Sequence, residues 1–227
     1  MIKIENIETM GWEAAIRGMR NPMNSWNKSD SEFNAGCDFN CATCSVCSLF
    51  EHKCSKLGDN DLELMRKLAS NGPVHAKYRR MITVYMDITA PLYWWKEFDT
   101  YKVGTVANSC STMHKIAAKE FTVDDFSTEH LLPNPSLVVL ASVIGALNMA
   151  RNMYLGCKDP TIKKDCWWQM IQLLPSSYNQ KRTVMLNYEV LHNMYHSRKD
   201  HKLDEWRTFC SIVTSLPYSS LITIKEN

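Results

Sequence analysis

The chain has 227 residues, of which 45% are hydrophobic and 22% charged, and its formal net charge is only +2. That length allows one sizeable hydrophobic core, and the composition excludes an intrinsically disordered chain. The balanced charge gives no global field that would attract nucleic acid or an anionic membrane. A small anionic ligand held by a few local cations remains compatible with it.

Neither the N-terminus nor the longest uncharged run predicts a membrane segment. The first residues, Met1–Glu5, lack the apolar core of a signal peptide. The uncharged run 133–150 contains two prolines and two asparagines, and its continuous apolar part is shorter than the roughly 18 to 20 residues that span a bilayer. We interpret the run as a buried helix and expect a cytoplasmic protein without a membrane partner.

Nine cysteines are many for a reducing compartment, and an odd number argues against a disulfide framework. Five of them lie within residues 37–54, in a segment rich in Asn, Ser and Cys that we interpret as an irregular loop or insertion at about 21–57. Four thiolates at such loop spacings would satisfy a structural zinc ion. The predicted zinc ligands are Cys37, Cys41, Cys44 and Cys47, with Cys54 as the alternative ligand.

Two other interpretations of the cysteines stay open. The Cys-x3-Cys-x2-Cys spacing is similar to the cluster loop of radical-SAM proteins, but Thr43 stands where that loop usually has an aromatic residue. No repeated βα pattern follows to build the barrel of those proteins. The segment would otherwise be a loop with plain thiols.

Regular structure is predicted from residue 60 onward. Asn60 and Glu63 form a capping-box pattern, an apolar face follows, and the pair at 72–73, Gly and Pro, ends the helix. The β-branched and aromatic run 81–88 predicts a strand. Pro91 suits the first turn of a helix running toward Gly104.

The second half of the chain alternates less regularly. A long apolar helix is predicted at about 136–155, an amphipathic helix at about 162–173, a strand at 181–187, and helices at 188–198 and 203–216. Few strands among many helices, without regular alternation, predict a single α+β domain over residues 1–227.

Two stretches resemble the flavin-dependent thymidylate synthases. The first runs from Ile88–Pro91 through a helix to Asn108–Ser111, and the second from Leu174–Pro175 through Asn187 and Arg198 to residues 204–206. In that family, a strand ends at an Ala-Pro-like corner before a helix and the signature Arg-His-Arg-x-x-Ser-x-Asn-x-x-Ser-x-Arg. The resemblance covers about half of the chain and implies the family's fold of mixed helices and antiparallel sheet.

The sequence departs from the signature at most of its positions. With Ala90–Pro91 on the family's corner, residues 100–102 (Thr, Tyr and Lys) replace Arg-His-Arg, and Thr112 replaces the last Arg. A shift by one residue would match Asn108 and Ser111 to the Asn and Ser of the signature but would misplace the corner. In either register Lys102 is the only cation left of the triplet.

The resemblance implies a homotetramer that binds FAD and dUMP across subunit boundaries, with a folate as carbon donor. It implies cofactor contacts from Tyr101, Lys102, Asn187 and Asn193. Substrate contacts would come from Glu97, Asn108, Ser109, Cys110, Ser111 and Arg198. Donors and a cation of this kind suit a phosphate and a uracil edge.

Several of these residues have simpler interpretations. Arg198 at a helix end would also interact favourably with the helix dipole, and asparagines such as Asn187 often act as caps. Cys110 would be a better nucleophile than serine toward a pyrimidine ring, or it would only fill the serine's space. The tryptophan pairs 94–95 and 167–168 favour core or interface packing. His75, in a basic segment, would contact a phosphate or folate tail or only solvent.

Three functions therefore follow as alternatives. The first is a flavoenzyme that methylates dUMP or modifies the pyrimidine 5-position in a related way. The second is a non-catalytic nucleotide- or partner-binding module on the same fold, and the third is a metalloprotein whose cysteine loop is the active part.

Overall fold

A computed structural model describes residues 2–33 and 55–225 of the chain. In chain order its elements are β1 (Lys3–Met10), α1 (Trp12–Arg20), β2 (Glu32–Phe33), β3 (Ser55–Lys56), α2 (Asp59–Ser70), β4 (Thr83–Pro91), α3 (Leu92–Phe98), β5 (Val106–Ser109), α4 (Thr112–Lys115), α5 (Val138–Gly156), α6 (Pro160–Leu173), β6 (Asn179–Asn187), α7 (Tyr188–Arg198), α8 (Asp204–Val213) and α9 (Ser220–Thr223).

The centre of the fold is a four-stranded antiparallel sheet in the order β1-β4-β6-β5. Along β4, buried residues such as Val84 and Met86 alternate with half-buried ones such as Tyr85 and Asp87. Successive side chains of a strand point to opposite faces, so one face of the sheet meets the core and the other is polar. The predicted α+β class with an antiparallel sheet is confirmed.

The main core lies between the sheet and helices α1, α2, α3, α7, α8 and α9. Its largest side chains are aromatic, and Trp94 packs against Trp95, Trp206 and Phe209 at ring-centroid distances of 4.8 to 5.8 Å. The expectation of core packing is therefore correct for the first tryptophan pair. Such large rings dominate the apolar area that a core removes from water.

Helices α5 and α6 form a separate layer over a smaller cluster that contains Phe121, Phe126, Leu147 and Met170. Only Leu140, Leu147 and Ala150 of α5 are buried, so the prediction of a buried helix is wrong for the single chain. By length and composition alone, the segment Pro133–Gly156 is able to cross a membrane. Its packing against α6 leaves one long side uncovered.

The predicted boundaries hold best in the second half of the chain. Helix α7 has the predicted bounds, and β6 begins two residues before its prediction. Among the elements of the described residues, seven had no prediction: β1, α1, β2, β3, β5, α4 and α9. The predicted extension of α3 toward Gly104 is wrong, since the helix ends at Phe98.

The predicted capping box of α2 is also wrong. The helix begins at Asp59, and its first N–H groups are capped from outside the helix by Asp30, whose carboxylate accepts from Asn60 at 2.9 Å and Asp61 at 3.1 Å. The end of α2 is as predicted, because Gly72 follows with φ of 92°.

Candidate functional site

The C-terminal ends of α3 and α7 meet the first turn of α8 around the carboxylate of Glu97. Oε2 of Glu97 accepts from Nη1 of Arg198 at 2.7 Å and from Nε1 of Trp206 at 2.9 Å. Nε2 of His201 lies 3.4 Å from the same oxygen. The side chains of Glu97 and Arg198 are 34% and 19% exposed, so the pair is held in place but remains open to a ligand. We call these four residues, together with Tyr101, the Glu97 cluster.

Arg198 is fixed by aromatic neighbours as well as by charge. Its Nε donates to the hydroxyl of Tyr101 at 2.9 Å. Its guanidinium carbon lies 4.9 Å from the ring centroid of Trp206 and 5.6 Å from that of Tyr101. Arginine is preferred where a protein contacts an anion or a base, because its planar guanidinium stacks on aromatic rings and donates two parallel hydrogen bonds. The structure therefore brings together three predicted site residues: Glu97, Tyr101 and Arg198.

Two members of the Glu97 cluster had no predicted role. Trp206 was part of the resemblance but was not a site candidate, although the indole N–H of a buried tryptophan usually has a partner. Nδ1 of His201 lies 3.2 Å from the backbone N–H of Leu203, from which it accepts. That bond fixes the proton of a neutral His201 on Nε2, so that the ring donates toward Glu97.

A second bond joins α3 to α8 on the buried side of the Glu97 cluster. The hydroxyl of Tyr93 donates to the carboxylate of Glu205, which is 7% exposed. Burial and then the hydrogen bond to Glu205 raise the pKa of Tyr93. Since Tyr93 and Glu97 are one helical turn apart, this bond helps to set the distance between Glu97 and Trp206.

Of the four predicted cofactor residues, Asn187 has a structural role. Its Oδ1 caps α7 by accepting from the N–H of Val190 at 2.9 Å. Gly104 adopts φ of 80°, and a Cβ there would lie 2.9 Å from Nδ2 of Asn187. The glycine thus lets the segment after α3 approach the cap closely. Asn193 is exposed on α7, and Lys102 is exposed beside Tyr101.

The predicted substrate segment 108–111 is an exposed edge of the sheet. Asn108 lies opposite Thr183 and Ser109 opposite Arg182. The N–H of Cys110 donates to the carbonyl of Lys181 at 2.9 Å, so the pairing with β6 continues for one residue. Ser111 caps α4 by accepting from the N–H of His114 at 3.1 Å. Part of the backbone of the predicted substrate segment is therefore used for sheet pairing.

Strand alternation places the members of this segment on opposite faces. Asn108 lies on the polar face with Thr183 and Asp87, whereas Ser109 lies on the face of Arg182. Arg182 pairs with Asp99 at 2.8 Å and stacks 4.1 Å from the ring centroid of Trp95. Arg182 had no prediction, and it ties the substrate segment to the end of α3.

A groove of about 1290 Å³ lies on another side of the molecule, between α1, α2 and residues 74–81. Lys28, His75 and Lys77 line it together with apolar residues such as Leu68 and Met81. His75, for which a contact with a phosphate or folate tail was predicted, therefore lines a groove. The contact itself stays a prediction.

The predicted zinc ligands, Cys37, Cys41, Cys44 and Cys47, and the alternative Cys54, lie outside the described residues. Within residues 2–33 and 55–225, no three His, Cys, Asp or Glu side chains are placed to share a metal ion. Within the same described residues, Cys110 is exposed and its thiol is free.

No protein-family model matches the chain, and no curated protein matches it by sequence. Solved structures do match. One is the flavin-dependent thymidylate synthase ThyX from Helicobacter pylori complexed with FAD and dUMP, with a TM-score of 0.62 and 16% identity over 96% of this chain and 98% of that chain. The fold is ThyX-like.

A second structure of Helicobacter pylori ThyX with FAD and dUMP gives a TM-score of 0.63 and 15% identity, over 99% of this chain and 100% of that one. The structural likeness thus extends over 96 to 99% of this chain, whereas the resemblance in the sequence was limited to about half of it.

Proposed function

We propose that the protein is an FAD-dependent thymidylate synthase-like enzyme that acts on a deoxyuridine nucleotide. The observation that carries this proposal is the ion pair between Arg198 and Glu97 in a ThyX-like fold. The pair is partly exposed to solvent at the junction of α3, α7 and α8. A fixed guanidinium beside a carboxylate offers a donor and an acceptor at one place, which a pyrimidine edge requires. The reaction would be reductive methylation of dUMP or a related modification at the pyrimidine 5-position.

In this proposal the nucleotide contacts Arg198, Glu97 and the segment 108–111. Within that segment, Asn108 and Cys110 are on one face of the strand and Ser109 is on the other. A nucleotide held by one copy would therefore contact only part of the segment. This division favours the arrangement that the resemblance implies, in which two subunits share each site.

The proposed cofactor residues are Tyr101, Lys102, Asn187 and Asn193, and a bound reduced flavin would supply the hydride. The residues present are compatible with a flavin, since Tyr101 offers an aromatic surface and Asn187 keeps its side-chain NH2 beside Gly104. The groove lined by Lys28, His75 and Lys77 would suit phosphates or the acidic tail of a folate. Arg198, held by Tyr101 and Glu97, would orient the pyrimidine.

We also propose that the protein forms a homotetramer, as the resemblance implies. Val139, Met149 and Met153 of α5 are 57 to 64% exposed, and an apolar helix side of this length is typical of a protein–protein interface. The opposite side carries polar contacts to the 117–121 loop, where Asn148 donates to the carbonyl of Phe121 at 2.8 Å. We propose that a second copy covers the apolar side and that the protein is cytoplasmic.

The second candidate is a non-catalytic nucleotide-binding module on the same fold. The absence of Arg-His-Arg from residues 100–102 favours it. The purified protein distinguishes the two, because an enzyme would carry flavin and convert dUMP when a reductant and methylenetetrahydrofolate are added. A module would bind the nucleotide without flavin and without turnover.

A structural zinc ion in the cysteine segment remains a prediction. Metal analysis of the purified chain tests it: about one zinc per chain would support a structural site, and a brown protein containing iron would favour the metalloprotein alternative.

A further inference from the structure

The side-chain amide of Gln180 joins two parts of the chain through hydrogen bonds at both of its polar atoms. Gln180 is the second residue of β6 and is 8% exposed. Its Oε1 accepts from Nε of Arg182 at 3.0 Å, and its Nε2 donates to the carbonyl of Cys110 at 2.9 Å. The guanidinium has only donors and the carbonyl only accepts, so one orientation of the amide satisfies both neighbours.

Arg182 extends this connection to the end of α3. Its Nη1 donates to Oδ1 of Asp99 at 2.8 Å, and its guanidinium stacks on the ring of Trp95. Asp99 directly follows α3 and stands two residues after Glu97. Nε1 of Trp95 also donates to the backbone carbonyl of Gln180 at 2.9 Å. The end of α3 and the start of β6 are therefore joined by three hydrogen bonds and one stacking contact.

The backbone of Cys110 is held from two sides. Its N–H donates to the carbonyl of Lys181 at 2.9 Å, and its carbonyl accepts from the amide of Gln180. Cys110 follows the last residue of β5, an exposed edge strand of four residues. Where strand pairing ends, side-chain contacts decide the course of the chain. The Gln180 amide thus fixes the segment 108–111 at the point where it leaves the sheet.

We propose that Gln180, oriented by Arg182, is a positioning residue that places the segment 108–111 relative to α3 for nucleotide binding. This role rests on the proposed function, in which the nucleotide contacts both that segment and Glu97. Gln180 and Arg182 support these contacts from behind and are assigned no contact with the ligand. The four proposed flavin residues are not part of the connection from Asp99 to Cys110. Loss of the connection should therefore weaken nucleotide binding and leave flavin binding unchanged.

Replacing Gln180 by glutamate separates its two hydrogen bonds. A carboxylate still accepts from Arg182, but it turns an oxygen instead of a donor toward the carbonyl of Cys110. Gln180→Glu therefore breaks one end of the connection and keeps the size of the side chain. Gln172→Glu makes the same chemical change at an exposed position of α6 and is the control. Gln180→Met makes neither bond and adds no charge, so it replaces Gln180→Glu if the glutamate variant does not fold.

The experiment follows the segment and the two ligands separately. Hydrogen–deuterium exchange measures the protection of the Cys110 N–H in the full chain. Calorimetry measures the dissociation constant of FAD, and then that of dUMP in the FAD-loaded protein. In Gln180→Glu we expect exchange about two- to tenfold faster, dUMP binding about five- to tenfold weaker, and FAD binding within about twofold of the wild type. Gln172→Glu should match the wild-type protein in all three measurements.

Unchanged exchange in the Gln180 variant would overturn the inference, because the amide would then not hold the segment. Faster exchange with unchanged dUMP affinity would also overturn it. So would an equal loss of dUMP and FAD affinity, which a general destabilisation produces. In these three cases the proposed function would survive, since the wild-type protein still binds both ligands. A wild-type protein that binds neither ligand at millimolar concentration would end both the proposed function and the positioning role.

Discussion

Asp87 on the polar face of the sheet shows how one carboxylate organises its neighbours. Thr183 donates to it at 2.6 Å and Asn6 at 2.9 Å, and Lys181 lies at 3.0 Å. These bonds, that of Thr183 first, lower the pKa of Asp87 to about 2. The contacts join β1, β4 and β6 beside Asn108 of the predicted substrate segment.

The lowered pKa of Asp87 predicts a loss of stability in acid. An unfolded aspartate titrates near about 3.9. The stabilisation is therefore complete above that pH and is lost as the pH falls toward 2. Asp87→Asn should lower the free energy of unfolding at pH 7 by about 0.5 to 1 kcal/mol, since solvent screens a surface pair. It should change stability less at pH 2.5. Urea unfolding of this variant and of Asp124→Asn, at both pH values, measures the difference. An equal loss at both would contradict the prediction.

Only some residues in and near the Glu97 cluster could be predicted from the sequence. Arg198 and Glu97 were predicted from the resemblance because they stand at matching positions of helices with clear patterns. His201 and Arg182 act through partners far away in sequence, Glu97 and Asp99. The residues next to His201 and Arg182 in the sequence do not indicate these partners. Their contacts are therefore visible only in the folded chain.

At the scale of elements, helix and strand boundaries were predicted correctly where neighbouring residues determine them. The prediction failed where a residue far away in sequence caps the element. Helix α7 has its cap in Asn187, and its bounds were predicted. The first turn of α2 is capped by Asp30, 30 residues earlier, and the local capping-box pattern was misleading. Strand β5 is four residues long and exposed, so its sequence has no apolar alternation to predict it.

The junction between α1, residues 29–31 and α2 depends on Asp61. This fully buried carboxylate contacts Nε of Arg20 at 2.6 Å and accepts from the hydroxyls of Ser29 at 2.7 Å and Ser31 at 2.6 Å. Burial alone would raise its pKa, but the hydrogen bonds from Ser31, Ser29 and Arg20 together lower it. The network holds one wall of the groove.

Asp61→Asn should destabilise the protein by about 3 to 5 kcal/mol, because it leaves the buried Arg20 without its counter-charge. Asp59→Asn, at an exposed position in the first turn of the same helix, should cost less than about 1 kcal/mol. Chemical denaturation compares the two. A loss below about 1 kcal/mol for Asp61→Asn would mean that the pair contributes no more than surface ions do.

At the scale of the whole molecule, the fold was predictable and the exposure of α5 was not. Apolar composition alone cannot distinguish a helix buried in its own chain from one that another subunit covers. The uncharged segment was therefore assigned to the core, whereas the described chain buries only three residues of α5.

Charges on this helix should separate the proposed subunits. Met149→Glu combined with Met153→Glu would bury two unpaired charges in an interface, so the oligomer should dissociate to smaller species. Light scattering after gel filtration measures the mass, and Lys67→Glu on the exposed side of α2 is the control. A wild-type monomer, or an intact oligomer in the double variant, would contradict an interface at α5.

The most direct test of the proposed function is the visible absorption spectrum of the purified protein, titrated with FAD and then with dUMP. We predict a bound flavin spectrum that shifts when dUMP is added, with the shift lost in Arg198→Gln and retained in Lys96→Gln. That result would place both ligands in one site next to the Glu97 cluster. No flavin uptake, with a spectrum unchanged by dUMP, would contradict the flavoenzyme and leave a ThyX-like fold that serves as a binding module.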